Sequence, residues 1–200
     1  MRGWRYKQII IILCLIPLLN GCRVIVFDEK KGERKVEKVV NNPNNEVKVN
    51  ATVQLFKKKL LVRGETTLPK GTIIDVQLKP YPESATSLQI VRNTVGPLDS
   101  VAASGIIKVK KDGTLESITV TRPGEDKRYR LEIVLDPRKQ NKDVQTVLGP
   151  LGENIGNSDG HVSVTQETEE ITLIKKFANI MKREEPDGFM SKIGLTALKE

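Results

Sequence analysis

From Val47 onward apolar and polar residues alternate one by one, and that period constrains the fold more than any other feature of the chain. Val47, Val49, Ala51, Val53 and Leu55 interleave with Lys48, Asn50, Thr52 and Gln54. Successive side chains of a strand point to opposite faces, so this spacing predicts a strand with one apolar face. Leu60-Leu61-Val62 predicts a second strand, and Ile74, Val76 and Leu78 a third. Between them, Leu68-Pro69-Lys70-Gly71 has the residues of a turn, proline presetting φ and glycine allowing it to be positive. A weaker strand is expected over Ser87 to Arg92. Ile106 to Lys110 and Leu115 to Thr121 flank an Asp112-Gly113 pair, which predicts a hairpin. Tyr129, Leu131, Ile133 and Leu135 then alternate with Arg128, Arg130 and Glu132. Short strands about 10 residues apart, with no helices between them, predict an antiparallel sandwich or barrel and argue against βαβ units.

Two helices are expected after these strands. Asp136 suits an N-cap, Pro137 the first helical position and Gly149 the left-handed end, with Val144, Val147 and Leu148 as the buried stripe. Residues 149–160 (GPLGENIGNSDG) read as loop. Ile171, Ile174, Phe177, Ala178 and Met181 recur at three and four, which predicts an amphipathic helix starting near Thr168. Glu169 and Glu170 in its first turn and Lys182 and Arg183 in its last match the helix dipole. Packing on the strands is favoured for its apolar face over docking to a partner protein. The tail from Phe189 to Glu200 is expected to be only partly ordered.

Residues 105–115 (GIIKVKKDGTL), followed by Pro123-Gly124 and Tyr129-Arg130-Leu131-Glu132-Ile133, resemble the strand order of immunoglobulin-like, fibronectin-type and transthyretin-like sandwiches. The resemblance implies a mainly β protein, an immunoglobulin-like antiparallel β-sandwich with a short helix after the last strand and a C-terminal amphipathic helix. It also implies that the Tyr129 ring lies in the core and its hydroxyl ties down the neighbouring corner. The sandwich tryptophan has no counterpart, since the one tryptophan is Trp4.

The N-terminus carries a different message. Arg2, Arg5 and Lys7 precede an apolar run from Ile9 to Leu19, and Gly21-Cys22 follows. A positive flank, a short apolar core and small residues at a cut site are the layout of an export signal. A spanning helix needs about 20 apolar residues, and this run is about half that length. Leu19-Asn20-Gly21-Cys22 resembles the lipobox of bacterial lipoproteins. That resemblance implies cleavage between Gly21 and Cys22, diacylglycerol on the Cys22 thiol, and a cell-envelope location outside the cytoplasm. Cys14 would leave with the signal, so the mature domain keeps no thiol for a disulfide or a nucleophile.

Cleavage would remove three of the 33 basic residues and none of the 25 acidic ones, reducing the net charge from +8 to +5. Nucleic-acid binding wants a basic face interleaved with aromatics, which form only 4% of the chain, and is not expected. Residues 28–38 (DEKKGERKVEK) and Asn41-Asn42-Pro43-Asn44-Asn45 have almost nothing to bury, so 22–46 read as a flexible charged tether. The resulting organisation is signal peptide 1–21, tether 22–46, sandwich 47–150, and a loop, helix and tail over 151–200.

The search for chemistry is negative. His161 is the single histidine, on the loop after Ser158-Asp159-Gly160, with no Gly-x-Ser-x-Gly to supply a nucleophile. One histidine and no mature cysteine cannot form the usual zinc sets. A calcium loop aligned on Gly160 would put Ile155 and Gln166 at ligand positions, so it is rejected. Glu65, Asp75, Glu116 and Glu132 are the carboxylates available for acid–base hydrolysis, and nothing in their spacing favours it. No catalytic residue, metal or cofactor is expected. The sequence points to a lipid-anchored, non-catalytic envelope domain whose partners are the membrane and an envelope protein or wall polymer. The alternatives are a small carboxylate hydrolase and an accessory substrate-capturing lipoprotein.

Overall fold

The structure is a computed structural model that describes residues 46–185 and 192–197, all within one compact unit spanning Val36–Glu200. The signal, Gly21, Cys22 and the tether up to Asn45 lie outside the described residues. In chain order the elements are β1 (Val49–Phe56), β2 (Lys59–Thr66), β3 (Ile73–Pro80), α1 (Ser87–Val91), β4 (Ala103–Lys108), β5 (Ile118–Thr121) and β6 (Tyr129–Leu135). A 3-10 turn (Pro137–Lys139) and α2 (Lys142–Leu148) follow. The chain continues with β7 (His161–Gln166), β8 (Glu169–Ile180), β9 (Lys192–Gly194) and β10 (Thr196–Ala197). Among the described residues no helix is long and apolar enough to cross a membrane.

The chain is mainly β, with two antiparallel sheets. One has the order β5-β2-β1-β9 and the other β10-β8-β6-β3-β4, with β7 also paired to β8. Ile174 pairs with Leu135 on one side and His161 on the other, so β7 runs along the edge of β8 that faces away from β6. The alternation read from sequence sets the inward faces. Val49, Ala51 and Val53 of β1 share one buried cluster with Ile74, Val76 and Leu78 of β3 and Leu131, Ile133 and Leu135 of β6. Each such aliphatic side chain contributes about 1.5–3 kcal/mol by leaving water.

The amphipathic helix expected from Thr168 is strand β8. Its burial runs nearly without interruption from Ile171 to Ile180, because both faces are covered. Ile174, Ala178 and Ile180 enter the main core. Phe177 and Asn179 lie on the opposite face, where Tyr81, Ala85, Ile90 and Met181 form a second cluster. A strand buried on both sides reads as a continuous apolar run, and three-and-four spacing is then found within it by default. Residues 151–200 therefore supply four strands rather than a loop, a helix and a tail, and the expected helix after the last strand follows the sixth of ten.

Three smaller expectations also change. Ser87 to Arg92 forms α1 instead of a strand, nucleated by a capping box between Thr86 and Gln89. The single helix from Asp136 is split: Asp136 caps only the 3-10 turn, and Asn141 caps α2. The cause is Gln140, whose amide bonds both the N–H and the carbonyl of Ile73 and so pulls the chain out of helical register. The Asp112-Gly113 turn exists, with Gly113 at φ 79°, but β4 and β5 belong to different sheets and only Val109 and Leu115 bridge. His161 is the first residue of β7 rather than part of a loop.

Two segments pass between the sheets. One is this 108–118 connection; the other is 192–197, in which β9 pairs with β1 and β10 with β8. Leu195 between them is buried and donates its N–H to Ala51 O.

Candidate functional site

The outward residues of β1 and β2 make the broadest polar surface of the described fold. Cross-strand pairing sets Asn50 beside Glu65, Thr52 beside Arg63 and Gln54 beside Leu61. β9 extends the rows, with Gly194 next to Thr52 and Lys192 next to Gln54. An open groove of about 720 Å³ lies over them. Gly194 helps shape it, since a Cβ there would meet nothing within 4 Å. Arg63 Nη2 donates to Gln54 Oε1 at 3.3 Å across the floor. Amides, hydroxyls, a guanidinium and a carboxylate in register suit recognition of a polar, hydrogen-bonding ligand.

A second polar cluster ties α1 to the outer face of the other sheet. Arg128 holds the Glu185 carboxylate through Nε at 2.8 and 3.0 Å and also through Nη2, while its Nη1 donates to Ala85 O. Ser87 Oγ and the Lys182 N–H donate to the same carboxylate. Burial alone would raise the Glu185 pKa, but the Arg128, Ser87 and Lys182 donors outweigh it and hold the group at about 2. Nearby, Arg130 Nε donates to Tyr81 Oη, which donates to Asn179 Oδ1. The Arg130 guanidinium also lies 4.5 Å from the Phe177 ring centre. This cluster fastens elements together: every charge in it already has a partner or an aromatic face.

Tyr129 opens β6 with its ring buried, and its hydroxyl accepts the Gly124 N–H at 3.2 Å. Arg122, 2% exposed, lies over that ring at 5.7 Å and places Nη2 near the carbonyls of Glu125, Lys127 and Met181. Burial pushes its guanidinium pKa down. Sequence reading passed over Arg122, because a charge next to Pro123-Gly124 looks like an ordinary turn residue.

The residues singled out for chemistry stay apart. Ser158 is buried and its Oγ accepts the Val47 N–H, while His161 Nδ1 contacts the Ser158 carbonyl rather than its hydroxyl. Asp75 pairs with Lys139 and Glu132 with Lys79 on one sheet, whereas Glu65 lies on the other. Glu116 is exposed between β4 and β5. Ile155 is a core residue and Gln166 bonds Arg138. No group of three or more potential metal ligands occurs among the described residues.

No protein-family model, curated protein or solved structure matches this chain.

Proposed function

We propose that this chain is a lipid-anchored lipoprotein of the bacterial cell envelope, displaying a non-catalytic binding domain outside the cytoplasm. The observation that carries the reading is Leu19-Asn20-Gly21-Cys22 at the end of a short apolar run behind three basic residues. Cys22 is the lipidation site and Gly21-Cys22 the cleavage point. Residues 23–45 are the spacer between the lipid and the β domain. Its two sheets are the leaves of an immunoglobulin-like sandwich, supported by their shared buried cluster and by the position of Tyr129 at the start of β6. The polar face of β1 and β2 is the binding surface, toward an envelope protein or wall polymer.

Fractionating cells that carry Cys22→Ala tests the anchor. The unsubstituted chain is expected in the membrane fraction, cleaved and reactive to an alkyne fatty-acid label. The variant is expected unlabelled and uncleaved. A labelled, cleaved Cys22→Ala variant would refute the assignment. Capture from envelope extract by the unsubstituted chain, lost on Arg63→Ala with Thr52→Ala, tests the surface.

A further inference from the structure

β7 leaves one edge of its sheet uncovered among the described residues, since it pairs only with β8. Ser163 to Glu170 are all exposed. The direction of the uncovered backbone groups follows from two hydrogen bonds. Lys175 N donates to Gly160 O, toward β7, whereas Thr172 N donates to Leu151 O, away from it. Antiparallel ladders alternate bonded and non-bonded pairs, and Ser163 pairs with Thr172. The N–H and C=O of Ser163 therefore point outward, and those of Thr165 do the same. His161 also faces out, but its N–H is engaged by Ser158 O.

Natural edge strands are guarded by charges, prolines, bulges or extreme shortness. β7 reads HVSVTQ, with no Asp, Glu, Lys, Arg or Pro, and pairs with β8 without a bulge over its whole length. Nothing in its sequence discourages a further strand.

We propose that β7 pairs antiparallel with β7 of a second copy of this chain, about a two-fold axis through Val164. In that register Ser163 lies opposite the second copy's Thr165, and their outward N–H and C=O groups satisfy one another. Val164, 38% exposed in one copy, packs against its symmetry mate. His161 faces the second copy's Glu167, a hydrogen-bonding pair with no like-charge conflict. The other two-fold register compatible with the outward groups, centred on Ser163, sets Glu167 against Asp159 and brings two carboxylates together. A parallel arrangement sets Glu167 against Glu167. Charge thus selects the register centred on Val164. The inference does not depend on the lipid anchor.

Sedimentation of the full chain in detergent tests the pairing. A concentration-dependent dimer is expected, and Val164→Lys, which places two ammonium groups on the axis, should weaken it by on the order of tenfold or more. Oxidised Val164→Cys should form a covalent dimer, because a non-bonded antiparallel pair has Cα atoms within disulfide reach. Val162→Cys should not, since Val162 lies opposite Gln166 of the other copy. The unsubstituted chain, run in parallel, accounts for bridges through Cys14 or Cys22. Three results would overturn the proposal: a monomer at every concentration, equal cross-linking at 162 and 164, or Ser163 and Thr165 amides protected from exchange in a monomer. The last would mean that another segment of the same chain covers the edge.

Discussion

Gly64 sits on β2 where β1 passes closest. A Cβ at this position would lie 2.2 Å from Asn50 O and 2.8 Å from the Ala51 Cα, both backbone atoms that cannot turn aside. Gly64→Ala is expected to cost about 2–4 kcal/mol, read as a lower denaturation midpoint with an unchanged slope. Gly194→Ala meets open space and should leave stability within about 0.5 kcal/mol. The same methyl enters the groove, so a ligand bound there should weaken while folding does not. Glu185 gives a prediction in pH. Its carboxyl is depressed to about 2 from an ordinary value near 4.5, so its stabilising contribution is complete above about pH 5 and disappears as pH falls toward 2. Glu185→Gln should lower stability at pH 7 by about 2 kcal/mol and flatten that acid limb, which urea titrations across pH would measure. None of these partners is near in sequence: Arg128 lies 57 positions from Glu185.

At the scale of elements, legibility followed burial. β1, β3 and β6 each keep one polar face, so their alternation was readable from Val47, Ile74 and Tyr129 onward. β8 has no polar face to alternate with over its buried stretch, and period alone could not distinguish it from a helix. Its Ile171-Thr172 and Ile174 are β-branched, a composition that favours the strand. α1 is the reverse case. Its Thr86-x-x-Gln89 capping box was present in the sequence, but the segment is too short for a helical period to show. Thr86→Ala should cost about 1 kcal/mol and speed amide exchange across α1. The polar character of the candidate groove was legible in Asn50, Thr52 and Gln54. Its assembly was not, because β2 and β9 come from segments 9 and more than 100 residues away.

For the molecule as a whole, segment 192–197 matters out of proportion to its length. It adds a strand to each sheet and buries Leu195 against the common core. Leu195→Ala should lower stability by about 2 kcal/mol. Removing the chain from Lys192 onward should have a larger effect, since it strips the outward edges of β1 and part of β8 together. Urea unfolding of both variants, with their slopes compared, separates a weakened native state from an opened one. The second cluster under α1 should persist in either case, because none of its members touches this segment in the hydrogen-bond or ion-pair pattern.

The order of the chain gives that last point a temporal side. Ribosomes and export channels deliver a polypeptide from its N-terminus, so β1 and β8 emerge with one flank each still waiting for 192–197. Until those residues clear the channel, the partly emerged domain presents hydrogen-bonding edges that its own later sequence is built to occupy. Delay at that stage should favour capture by chaperones or by neighbouring nascent chains. Release of the final segment is then the event that commits the domain to its native form.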